Sequence, residues 1–203
     1  AFTGAIDVGT RLTDARSLAF DNQGRLLVSS GPLTEAILAF DRGGSRVTRF
    51  APMRAEQIAV TETGAVLAVT NDPDGAQLVE LNPDGCVERI IAAGGQDAQY
   101  AGVSVSGRGM ILVNRVERGR GAIEAYTQEG RPLRMYVGSG IRAAHLCTDP
   151  NERTYIPCRA SCDIKVLGPE CRLERRIPLE SIVSPYAVAV GPNGDLWISG
   201  QAE

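Results

Sequence analysis

Short runs of alternating apolar and polar residues, each broken by a turn sequence, fill the chain from Leu18 to Ile198. In "VAVGPNGDLWI" (188–198) an apolar strand runs into Pro-Asn-Gly and a second apolar strand follows. The same shape recurs as "LAFDNQGRLLV" (18–28), "IAVTETGAVLA" (58–68), "VSVSGRGMILV" (103–113) and "LCTDPNERTYI" (146–156). Equivalent turn positions are Gly24, Gly64, Gly109, Glu152 and Gly194, separated by 40, 45, 43 and 42 residues. A nearly constant step of this size marks a repeat architecture.

Each of the first four units carries a second hairpin: "AILAFDRGGSRVTRF", "QLVELNPDGCVERI", "AIEAYTQEGRPLRMYV" and "DIKVLGPECRLERRI". Their turns use Gly where a positive φ is needed and Pro where φ is preset. A unit therefore reads as four short strands, and no segment has the period of an amphipathic helix. Four strands per repeat without helices predicts an all-β fold, a β-propeller of four-stranded antiparallel blades with five repeats visible. The chain reads as one domain, 1–203, with blades starting near residues 17, 57, 102, 145 and 187 and the last one partial.

The columns of the alignment agree with wedge-shaped packing. One inner-strand column is small throughout (Ala19, Ala59, Ser104, Cys147, Ala189), and its flanks are nearly all apolar. Close packing of blades around an axis asks for small side chains at the axis and branched ones between blades. A second-strand column reads Leu27, Leu67, Leu112, Tyr155 and Trp197, so Trp197 is expected in the core of its blade.

Segments such as "ARSLAFDNQGRLLVSS" (15–30) and "SPYAVAVGPNGDLWISG" (184–200) resemble NHL-type repeats and related six-bladed propellers, over almost the whole chain. The resemblance implies a fold far more strongly than a job. It also frames the ring. "GAIDVG" within residues 1–13 sits where an outermost closing strand belongs, and such a strand would leave few open edges. A six-bladed ring would need roughly 50 further residues at the usual blade length, and a five-bladed ring would lack one strand. We expect six blades, incomplete in this chain, with five as the alternative.

Composition narrows the function classes. Net charge is −3 with both signs interspersed, which gives no basic face for nucleic acid. No apolar run approaches the ~20 residues of a spanning helix. Ala1 opens on a mixed sequence without a leader pattern, as in a mature exported product, a cytosolic chain lacking its Met, or an excised piece. Arg outnumbers Lys twenty to one, Lys165 being the sole lysine, which reads as the codon bias of a GC-rich bacterial genome.

Among related propellers, lyases that bind zinc through several histidines are implied by the resemblance, but this chain has a single histidine, His145. Metal-dependent lactonases of gluconolactonase type need carboxylates and amides converging on the axis, since a hard cation takes oxygen ligands. The positions entering the inner strands supply one acid, Glu56. Asp21 and Asp149 fall in a column with Thr61, Ser106 and Gly191 that serves hairpin turns. No catalytic, cofactor or metal residue is therefore assigned, and no cofactor is expected. Ser17, Glu56, Gln57 and His145 are expected to line the channel.

Five cysteines, four of them between 147 and 171, favour an oxidising compartment, periplasmic or extracellular. Cys147 lies in the small inner column and reads as a buried thiol. Cys158 and Cys162 bracket "RAS" in a short hairpin link. A three-residue loop would oppose them, so a Cys158–Cys162 disulfide is expected. The functional expectation is a non-catalytic interaction or scaffold module binding protein through its loop faces, as a subunit or accessory protein of a bacterial extracytoplasmic complex. Arginines of "NRVERGRG" (114–121) are candidate contacts. The alternative is a metal-dependent, lactonase-like hydrolase with its site on the propeller axis.

Overall fold

The alternating pattern becomes eighteen strands in a computed structural model, which describes residues 14–30, 35–44, 47–138, 141 and 145–202. The expected closing strand in residues 1–13 lies outside the described residues. The first sheet is β1 (Ala15–Phe20), β2 (Leu26–Ser30), β3 (Ile37–Phe40) and β4 (Val47–Ala51). The second is β5 (Gln57–Val60), β6 (Val66–Asp72), β7 (Gly75–Leu81) and β8 (Val87–Ala93). The third is β9 (Ala98–Val105), β10 (Ile111–Glu117), β11 (Arg120–Tyr126) and β12 (Pro132–Val137). The fourth is β13 (Cys147–Thr148), β14 (Thr154–Cys158), β15 (Asp163–Leu167) and β16 (Leu173–Pro178). The fifth pairs β17 (Ile182–Val190) with β18 (Leu196–Ala202). Every sheet runs in sequence order with antiparallel neighbours.

First strands of consecutive sheets touch one another: β1 with β5, β5 with β9, β9 with β13, β13 with β17. That chain of contacts puts the first strand of every sheet on one inner rim. Hydrogen bonds reinforce it: Ile58 N–H donates to Ser17 Oγ at 3.2 Å, and Ser104 Oγ donates to Thr148 Oγ1 at 2.9 Å.

Alternation in each strand sends residues to both neighbouring sheets. Leu27 and Ile37 pack with Ile58, Val66 and Val79 between the first and second sheets. Leu67 and Leu78 pack with Tyr100, Val103 and Val113 between the second and third. Leu112 and Ile123 meet Ile156, Cys158 and Leu167 between the third and fourth, and Tyr155 and Val166 meet Val188 next. Burial of such side chains contributes about 1.5–3 kcal/mol each. Trp197 departs from the expectation of a core position: it is 69% exposed, as are Leu18 (64%) and Phe20 (62%). These residues lie on the outward flanks of the fifth and first sheets, where no further sheet packs among the described residues.

The turns follow the column logic closely. Asp21 Oδ1 accepts from the amides of Gln23 (2.9 Å) and Arg25 (2.8 Å), and Asp149 Oδ1 from Asn151 (2.8 Å) and Arg153 (2.9 Å). Thr61 and Ser106 accept the corresponding amides of Ala65 and Met110. At the tip, Glu152 stands in the column of turn glycines and takes the same left-handed backbone, φ 65°. Cys171, in the glycine column of the outer turns, does likewise at φ 56°.

Candidate functional site

Strand ends at the inner rim open into a cleft of about 640 Å³. Its lining includes Arg16, Arg54, Glu56, His145, Arg159 and Tyr186, drawn from the first, second, fourth and fifth sheets and the segments leading into them. Of the four residues expected at the channel, Glu56 and His145 face this cleft. Ser17 is buried in the wall, accepting from Ile58 N–H.

Gln57 is a clamp. Its Oε1 accepts from Val103 N–H (2.9 Å) and Leu146 N–H (3.1 Å), and its Nε2 donates to Leu146 C=O (3.0 Å). One carboxamide thus ties the second sheet to the third and to the approach to the fourth. Asn71 does the same between second and third sheets, donating to Tyr100 C=O at 2.7 Å and accepting from Tyr100 N–H at 2.8 Å. Both amides bridge neighbouring sheets through bonds to backbone groups.

Glu56 is equally committed. Oε1 accepts from Arg54 Nη2 and Oε2 from Arg16 Nη1, each at 3.0 Å. Arg16 also pairs with Asp14 at 2.9 Å. His145 sits beside this cluster, its backbone N–H donating to Tyr186 C=O at 3.2 Å. Burial holds its imidazole below the ordinary value of 6.5, opposed by the Glu56 carboxylate and aided by Arg16. Arg159 lies with its guanidinium carbon 4.5 Å from the centre of the Tyr186 ring, and its Nε donates to Ser184 Oγ at 2.9 Å. A cation over an aromatic face is held in place without being neutralised.

Three guanidiniums and one carboxylate therefore line the cleft. Chemically this favours an anion. It does not favour a divalent cation of the lactonase type, because the Glu56 oxygens face guanidiniums and the Asn71 amide is taken by backbone. Nor does it offer the set of histidines a zinc lyase needs. Among the described residues no group of three or more His, Cys, Asp or Glu is arranged to hold a metal ion.

The arginines of 114–121 behave differently from those of the cleft. Arg115 pairs with Glu124 (2.9 Å) and Glu117 (2.8 Å), and Arg118 with Asp97 (3.2 Å).

The expected Cys158–Cys162 disulfide is not formed. Strand register sets Asp163, not Cys162, opposite Cys158, so the loop has four residues, Arg159–Cys162. Cys162 adopts φ 48° at the loop end, and its Sγ turns to the Arg159 carbonyl at 3.8 Å. This four-residue loop delivers Arg159 to the cleft.

Comparison with known proteins gives fold alone. No family model matches and no curated protein matches. Solved structures do. A streptogramin B lyase aligns at TM-score 0.69 and 15% identity over 95% of this chain and 64% of that one. A gluconolactonase from Xanthomonas campestris aligns at 0.72 and 18%, over 92% and 69%. The nidogen/laminin complex structure gives 0.74 and 18%, over 92% and 72%. The chain is a β-propeller. Its sheets are blades, their first strands lie around the axis, and the cleft is at one mouth of that axis. The chain spans 64% of the length of the first of these structures, and the three include both enzymes and a protein complex. Among the described residues no helix is long and apolar enough to cross a membrane.

Proposed function

We propose that this propeller is a non-catalytic binding module whose axial mouth receives a carboxylate presented by a partner protein, within an extracytoplasmic assembly. The observation that carries the reading is Arg159. Its guanidinium is fixed over Tyr186 at the cleft and has no carboxylate partner among the described residues. Arg16 and Arg54 are matched in formal charge by Glu56 and Asp14, which leaves the Arg159 guanidinium as the excess positive charge of the cleft. Arg is suited to this work because its planar fork pairs with a carboxylate through two hydrogen bonds. Rim charges of this kind set partner choice and association rate.

The test is calorimetric titration with an oligoglutamate peptide and with a neutral oligoglutamine peptide of equal length. The acidic peptide should bind, weaken as salt rises, and lose at least about tenfold in affinity in Arg159→Gln, the ~1.4 kcal/mol of one charge-assisted contact. Equal binding of the two peptides, or unchanged affinity in Arg159→Gln, would overturn the reading. So would metal-dependent hydrolysis of a sugar lactone by the wild-type protein, which would make it an enzyme. Fractionation of cells expressing the native gene checks the compartment.

A further inference from the structure

The chain's sole lysine is in its interior. Lys165 on β15 is 1% exposed, and its Nζ lies 3.1 Å from Sγ of Cys158 on β14, itself fully buried. Asp163 Oδ1 is further away, at 3.8 Å, and is engaged by Ser161 Oγ at 2.6 Å. Lysine is almost never fully buried without a partner. Here the nearest partner is a thiol.

The pair sits on a position that the repeat makes comparable between blades. Register opposes Cys158 to Asp163 and Lys165 to Ile156, so the two residues are diagonal neighbours on one face. The equivalent diagonal in the third blade holds the Arg115–Glu124 ion pair at 2.9 Å. The first and second blades place Ser30 with Leu38 and Thr70 with Val79 there. Twenty cations of this chain are arginines, including Arg115, which in the third blade stands where Cys158 stands in the fourth. An amine differs from a guanidinium in having a nitrogen lone pair that can form a new bond. The fourth blade alone brings such a nitrogen against sulfur.

We infer that Lys165 and Cys158 are a site of oxidative cross-linking, in which one oxygen atom from dioxygen is inserted to give a covalent Nζ–O–Sγ bridge. Amine and thiol together carry three exchangeable hydrogens, whether as amine and thiol or as ammonium and thiolate. The N–O and O–S bonds form and the O–O bond breaks. Nitrogen and sulfur each give up two electrons, and dioxygen takes up all four. The second oxygen leaves as water with two of the hydrogens, and the third stays on nitrogen. A separation of 3.1 Å suits a one-atom insertion, whereas a direct N–S bond would need much closer approach. Burial confines the product: Cys158 Sγ otherwise contacts the Ile156 carbonyl at 3.5 Å, and the surrounding Leu112, Ile123 and Ile141 keep bulky thiols away.

The experiment is mass spectrometry of the full chain purified under argon and then exposed to dioxygen. The expected result is a gain of one oxygen with loss of two hydrogens, mapped to a cross-link between the peptides holding Cys158 and Lys165, and reversed by a dithiol reductant once the chain is unfolded in urea. The bridged form should melt several degrees higher than the reduced form, since it ties β14 to β15 in the unfolded chain. Lys165→Arg and Cys158→Ser should both abolish the mass change, and circular dichroism of each confirms folding. No mass change in aerated wild type would overturn the inference. So would gain of oxygen without hydrogen loss, or loss of two hydrogens alone, which is a disulfide. The wild-type map decides the matter even if a variant misfolds.

Discussion

Gly85 is the position at which packing between blades is most exposed to test. It occupies the outer turn between β7 and β8 with φ 84°, and a Cβ built there would fall 1.8 Å from the Phe50 carbonyl oxygen of β4. The obstacle is backbone, so no side-chain rotation can relieve it. Gly119, in the turn between β10 and β11, has a similar φ of 76° and nothing within 4 Å of the same added atom. The two alanine substitutions share the left-handed penalty, about 1–2 kcal/mol. Only Gly85→Ala must also push two blades apart, and overpacking of that kind costs about 1–3 kcal/mol more. Urea unfolding followed by tryptophan fluorescence and by circular dichroism gives both values. Gly85→Ala should lower the midpoint more than Gly119→Ala by that second amount, with the slope unchanged. In melting temperature the extra loss is roughly 2–12 °C, at about 2–4 °C per kcal/mol for a chain of this size. Equal losses, within about 0.5 kcal/mol, would refute the idea that the outer turn of one blade is seated on the outer strand of the one before it.

Two further outcomes follow from the site and the turns. Asp149→Ala removes the acceptor for two backbone amides and for Tyr155 Oη at 3.1 Å, and should cost about 2–3 kcal/mol in urea unfolding, with Asp149→Asn losing less. The depressed pKa of His145 means the unfolded chain binds a proton that the folded chain refuses, so stability falls as pH drops below 6.5. His145→Gln should flatten that part of the pH profile, and an unchanged slope in the variant would exclude His145 as its source.

The fold was legible because its determinants are local and repeated. Five turn positions at a nearly constant step, with Asp or a hydroxyl three residues before the tip in four of them, fix hairpins without reference to distant residues. Even the exceptions stayed within the scheme, since Glu152 and Cys171 took the left-handed backbone of the glycines they replace. Trp197 was misread for the complementary reason. Its column predicts which face it occupies, but burial depends on what lies opposite, and the flank of the fifth blade is open among the described residues. The site was legible only in part. Glu56 and His145 could be placed from their columns, but Arg54 and Arg159 lie in links between strands, where no periodicity applies. For Arg159 a one-residue difference in loop length decided everything: three residues would have paired two cysteines, and four present an arginine.

The amides at the axis bear on the proposed binding reading through the bonds they already make. A propeller rim has to hold neighbouring first strands together although they are not paired as a sheet. In this chain the task falls to side chains: Gln57 bonds to Val103 and Leu146, Asn71 to Tyr100, and Ser17 to Ile58. A carboxamide whose oxygen and nitrogen are both engaged by backbone has its orientation set by the rim. Releasing it would leave buried amides unsatisfied at about 1–3 kcal/mol each. What remains available at the mouth is charge carried on long, solvated side chains, above all Arg159. Such groups recognise a partner's carboxylate well and perform acid–base chemistry badly, because a guanidinium stays protonated throughout the accessible pH range. The rim is stabilised by amide and hydroxyl side chains, and the proposed binding reading rests on the arginines beside them.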